Sequence, residues 1–77
     1  MPLKKRKIIK GGVIMITVNG EKMNFSGTVS KLLEVLEYNE KRVAVELNYN
    51  IVSKSKYGNT EISDGDTIEI VRFVGGG

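Results

Sequence analysis

No cysteine occurs in the chain, so neither a disulfide framework nor a thiolate metal site can be built, and a reducing, cytoplasmic setting is expected. Histidine is missing as well. Without the commonest general base and the strongest nucleophile, and with no paired carboxylate motif, independent catalysis is not expected. No catalytic residue, bound cofactor or metal site is assigned, and the chain reads as a protein that is acted upon. No apolar run reaches the length of a membrane span. Ile8-Ile9 is cut off by Lys10 and two glycines, so a secretory signal is not expected either. At 77 residues there is room for one small domain, near the lower limit for an unaided core, and none for a second domain or a deep cleft. Function is therefore expected on the surface.

The formal net charge of +3 is unevenly spread. Residues 1–12, "MPLKKRKIIKGG", hold Lys4, Lys5, Arg6, Lys7 and Lys10 and no anion, which leaves seven cations against nine anions from Val13 onward. A basic arm of this kind can meet phosphates, because neutralising them releases counterions. No aromatic residue interleaves with these lysines, and short charged ends are usually solvated, so a nucleic-acid partner is not favoured. The arm reads as an unstructured addition to a domain spanning 13–74, whose regular structure starts at Ile14 or Met15.

Within that domain, "VIMITVNGEKMNF" reads as strand, turn, strand, since Asn19-Gly20 tolerates the positive φ angles of a type I′ hairpin turn. The period then changes: Val29, Leu32, Leu33 and Leu36 fall at i, i+3, i+4 and i+7, one face of a helix with Thr28 as its N-cap and Glu34 and Glu37 outward. This leucine stripe is assigned to packing against a sheet. "RVAVELN" alternates again, with Val43, Val45 and Leu47 on one face and Ala44 and Glu46 on the other. A tight "NYN" connection leads to a short strand at Ile51-Val52. "SKSKYGNTEI" has no clean period and predicts an irregular loop or single helical turn, with Tyr57 or Ile62 covering the core edge. "SDGD" predicts a turn in which aspartates bond the local backbone and Gly65 supplies the unusual φ. Two carboxylates there lack the further ligands of a calcium loop.

The last strand, "TIEIVRF", puts Ile68 and Ile70 on one face and Glu69, Val71 and Phe73 on the other. With the isoleucines inward, Val71 and Phe73 lie on the uncovered side of the sheet as a docking surface. A twisted strand end with Phe73 folded over the core is the alternative. One helix and several strands without regular alternation predict an α+β roll, a mixed sheet packed on one main helix. The chain ends "RFVGGG".

The order "NG" hairpin, "TVSKLLEVL", "VAVELNYNIV", "DGDTIEIVRFVGGG" resembles the ubiquitin-like β-grasp sulfur carriers, most closely the ThiS type of thiamine biosynthesis, over about four-fifths of the chain. That resemblance implies the β-grasp roll, a central last strand and a flexible glycine tail at 75–77. It also implies that a ThiF-like enzyme, using its own ATP and magnesium, adenylates the carboxylate of Gly77. A persulfide donor then turns it into a thiocarboxylate, and thiazole synthase receives the sulfur. Gly76 and Gly75 would thread the tail, while Val71, Arg72, Phe73 and Val74 would meet the partner. Glycine suits such an end, since the missing Cβ admits the backbone to a narrow channel. The molybdopterin-synthase small subunit and the ubiquitin-like protein modifiers share the same terminal chemistry and stay open as alternatives, as does a nucleic-acid-binding domain using the arm.

Overall fold

The computed structural model describes residues 14–73. The arm at 1–12 and Val74, Gly75, Gly76 and Gly77 lie outside the described residues. Seven strands and one helix follow in the order β1 (Met15–Val18), β2 (Glu21–Asn24), β3 (Gly27–Thr28), α1 (Val29–Val35), β4 (Val43–Leu47), β5 (Asn50–Val52), β6 (Glu61–Ile62) and β7 (Thr67–Arg72). Short 3-10 turns occupy Glu40–Arg42, before β4, and Lys54–Lys56, after β5.

Local chemistry explains most of these boundaries. Asn19 and Gly20 take φ of 50° and 87°, the two positive values of the predicted hairpin turn between β1 and β2. Asn48 and Tyr49 repeat the arrangement between β4 and β5, at 51° and 71°. Thr28 caps α1, its hydroxyl accepting from the Lys31 amide at 3.2 Å. The helix closes at Leu36 with Glu37 in the left-handed region at φ 65°. The Tyr38 amide there donates to the Leu33 carbonyl and the Glu37 amide to the Glu34 carbonyl, the paired bonds of a Schellman end.

The main sheet runs β2-β1-β7-β4-β5. The last strand is therefore central, parallel to β1 and antiparallel to β4. Strands β3 and β6 form a separate two-stranded ladder, absent from the sequence expectation because two residues carry no period. Val29, Leu32 and Leu33 of α1 pack on Ile16, Val43, Val45, Ile68 and Ile70, with Tyr57 and Ile62 closing the edge as predicted. Among the described residues, the helix covers one face of the mixed sheet and nothing covers the other.

Candidate functional site at the end of the central strand

Burial along β7 alternates as the side-chain period requires: Ile68 and Ile70 are inside, and Glu69 and Val71 are outside. Val71 is 55 % exposed and Phe73 56 %. Phe73 does not join the core cluster, so the alternative in which its ring folds over the core does not hold. Ala44 stands opposite Val71 in the ladder. On β5, Ile51 is 78 % exposed and faces Glu46, which in turn faces Glu69. The uncovered face thus combines separated apolar side chains with two carboxylates directly opposite each other, an arrangement that costs stability when nothing neutralises it.

Arg72 does not share that face. Its register partner is the core residue Val43, and its guanidinium carbon lies 5.0 Å from the ring centroid of Tyr38, on the helix side. Of the expected partner-binding residues, Val71 and Phe73 are both more than half exposed, Arg72 stacks on Tyr38, and Val74 lies outside the described residues with Gly75, Gly76 and Gly77.

Two asparagines, read from the sequence only as turn residues, hold this strand through their side chains. Asn19 makes the last backbone bond of β1 to β7, its N donating to the Ile68 carbonyl at 2.9 Å, and its side-chain amide then takes the place of the next backbone pair: Ile70 N donates to Oδ1 at 2.7 Å and Nδ2 donates to the Ile70 carbonyl at 3.2 Å. Asn48 serves the start of the strand, its Oδ1 accepting from Thr67 N at 2.9 Å and its Nδ2 donating to Asp66 Oδ1 at 3.0 Å. The aspartates of "SDGD" are likewise engaged with backbone, Asp64 Oδ1 accepting from Met15 N and Asp66 Oδ2 from Ser63 N. At the other end Phe73 N donates to the Arg42 carbonyl at 2.9 Å. The Lys54 ammonium sits 5.2 Å from the Phe73 ring centroid. The signal for both asparagines was the positive-φ preference already used for the first turn; Lys54 lies in a stretch without period.

Tyr57 closes the interior behind this end, its hydroxyl donating to the Val43 carbonyl at 3.3 Å. Burial raises its phenol above the ordinary value of about 10, and the Glu40 carboxylate adds to the rise. A shallow groove of about 360 Å³ lies elsewhere, lined by Val18, Glu21, Met23, Leu36 and Tyr38 among others, and includes neither Val71 nor Phe73. Among the described residues, no helix is long and apolar enough to cross a membrane.

A mixed sheet gripping one helix, with the strand that leads to the glycines held at its centre, defines a protein of the ubiquitin-like β-grasp class. The crystal structure of the thiamine biosynthesis protein ThiS from Geobacter metallireducens superimposes with a TM-score of 0.72 at 33 % identity, covering 83 % of this chain and 100 % of that one. The sulfur carrier protein ThiS of Bacillus subtilis is 41 % identical over 66 residues, which is 82 % of this chain and 100 % of that protein. A thiazole synthase of Paramagnetospirillum magneticum is 48 % identical over 64 residues, 80 % of this chain but 20 % of that protein, so the chain spans about a fifth of that relative. The ThiS family model matches residues 16–77. The chain belongs to the ThiS family, the small sulfur carriers of thiamine biosynthesis.

Proposed function

We propose that the chain carries sulfur as a thiocarboxylate on Gly77 and delivers it for thiazole formation. The observation that supports this most is the family match, which runs from residue 16 through the three terminal glycines. A carboxylate is a poor electrophile and needs a leaving group before sulfur can replace oxygen. In the first step a Gly77 carboxylate oxygen attacks the α-phosphorus of ATP and pyrophosphate departs. In the second a donor persulfide attacks the acyl carbon, AMP leaves, and a further thiol cleaves the resulting S–S bond, so that the thiocarboxylate stays on the carrier and the donor leaves as a disulfide. ATP and magnesium belong to a ThiF-like adenylating partner, and Gly75 and Gly76 let the end pass into its site. This chain supplies the handle and the grip, not the catalyst, and the setting is the cytoplasm.

Val71 and Phe73 serve as apolar anchors for the partner, and the Glu46–Glu69 pair predicts a cationic group facing it. Val71 and Phe73 are a little more than half exposed, so burying what remains contributes about 1–1.5 kcal/mol each, against the roughly 1–2 kcal/mol per residue needed to order the tail. Docking thus offsets part of the threading cost. Thiazole synthase as the receiving enzyme is supported by the similar segment found within a chain of that name.

Incubation with a ThiF-like enzyme, ATP and a persulfide source is expected to exchange one oxygen for sulfur within the C-terminal peptide, read by mass spectrometry. Deleting Gly77 abolishes the exchange with the fold retained, and Val71→Asp weakens partner binding about 10-fold or more. An unmodified terminus beside a demonstrably active partner enzyme refutes the reading.

A further inference from the structure

Asn19 is the only asparagine of the chain followed by glycine; the others precede Phe25, Glu40, Tyr49, Ile51 and Thr60, whose side chains crowd the next backbone nitrogen. An unhindered nitrogen at that place can attack the asparagine side chain and close a five-membered ring, a reaction made fast by proximity alone. In the structure the attacking group is free. Among the described residues Gly20 N meets no acceptor, no atom beyond its chain neighbours lies within 4 Å of where a Gly20 Cβ would stand, and both turn residues are exposed. The group under attack is held. Oδ1 of Asn19 accepts from Ile70 N at 2.7 Å and Nδ2 donates to the Ile70 carbonyl at 3.2 Å, so both ends of the carboxamide are fixed on β7. Closing the ring swings Cγ about χ1 onto Gly20 N, which breaks both bonds together.

We propose that Asn19 is a deamidation site guarded by its own clamp on the central strand, and that its conversion releases that clamp for good. Hydroxide from solvent removes the Gly20 N–H proton, the nitrogen pair bonds to Asn19 Cγ, and the Cγ–Nδ2 bond breaks as Nδ2 takes a proton from water and leaves as ammonia. Water then opens the succinimide at either carbonyl, giving aspartate or isoaspartate. The net change is one water in and one ammonia out, with no oxidant, reductant or enzyme. Neither product restores the clamp. Aspartate keeps an acceptor for Ile70 N but sets a carboxylate oxygen against the Ile70 carbonyl. Isoaspartate runs the main chain through Cβ, lengthening a two-residue turn whose flanking residues Val18 and Glu21 pair directly, and so draws its side chain away from β7. The β1 side of the central strand then has no support beyond the Ile68 carbonyl. Asn48 is the internal control. It also sits in a positive-φ turn and also binds β7, through Thr67 N at 2.9 Å, but tyrosine follows it.

The test incubates the full wild-type chain in mildly alkaline buffer, folded or unfolded in guanidinium chloride, and follows tryptic peptides by mass spectrometry. Cleavage after Lys10 and Lys22 yields a peptide spanning 11–22 in which Asn19 is the only asparagine, and cleavage after Arg42 and Lys54 yields one spanning 43–54 with Asn48 and Asn50. The first peptide is expected to gain about 1 Da, with isoaspartate identified against synthetic standards. Because two hydrogen bonds favour the closed carboxamide, the gain is about 10-fold or more slower in the folded chain than in the unfolded one. The second peptide converts at less than about a tenth of the rate of the first in the unfolded chain. The isoaspartate form, separated by its extra negative charge and kept folded, exchanges its Ile70 N–H about 10-fold faster relative to the rest of the core than unmodified protein does. Equal rates in folded and unfolded chains, earlier conversion of Asn48 or Asn50, or an isoaspartate form with unchanged Ile70 exchange overturns the inference. The carrier reading is not used here and survives any of these results.

Discussion

The sharpest stability test concerns Asn19, whose side chain stands in for a strand. After Val18 the β1–β7 ladder runs out, yet Ile70, a core residue on the central strand, still presents an N–H and a C=O toward the vacated place. Asn19 meets both, at 2.7 and 3.2 Å, in a partly buried setting. Asn19→Gly preserves the turn, since glycine accepts the φ of 50° freely, and removes only the amide. Two hydrogen bonds at about 0.5–1.5 kcal/mol each set the loss at about 1–3 kcal/mol, and relief of the positive φ returns part of it, leaving a net destabilisation of about 1–2 kcal/mol. Asn19→Asp keeps the acceptor for Ile70 N but turns a carboxylate oxygen toward the Ile70 carbonyl, so it is expected to be at least as destabilising as glycine. Urea unfolding with an unchanged m-value measures the cost. Amide hydrogen exchange separates the causes: Ile70 N–H exchanges faster relative to the rest of the core in the glycine variant and stays protected in the aspartate variant. A glycine variant as stable as wild type would show that Asn19 matters only for its turn conformation.

Two further outcomes follow from single residues. Glu37 ends the helix in a left-handed conformation at φ 65°, so Glu37→Gly is expected to stabilise the protein by about 1 kcal/mol and raise its thermal midpoint by roughly 4–8 °C, whereas Glu37→Ala leaves it near wild type. Equal midpoints for the two variants would refute the strain argument. Tyr57→Phe loses one hydrogen bond and costs about 0.5–1.5 kcal/mol at neutral pH. The folded phenol titrates above the unfolded value of about 10, through burial first and Glu40 second, so its contribution is intact below pH about 10 and is lost as pH rises through the folded value. Unfolding free energies from pH 9 to 11 should therefore fall more steeply for wild type than for the phenylalanine variant, and parallel curves would contradict the assignment.

What the sequence made legible was local. The Asn19-Gly20 turn, the stripe from Val29 to Leu36 and the alternation of Val43 to Leu47 each state their own conformation, because side-chain period and positive-φ tolerance act within a few residues. The place of β7 between β1 and β4 is a pairing across some fifty and some twenty-five positions, and periodicity alone gave no reason to prefer it. Glu37 was read as an exposed helical residue; its left-handed turn comes from the way Tyr38 must leave the helix to reach the core and Arg72, a tertiary demand overriding propensity. Alternation already put Arg72 opposite Val71 and Phe73, and grouping the three by adjacency hid that. The same division governs the candidate site. The glycines of the proposed site stand in consecutive letters, while Lys54, which reaches the Val43 carbonyl and the Phe73 ring, sits nineteen positions from Phe73 in a segment with no period. Local conformation is written along the chain, and the contacts that brace its last strand are written across it.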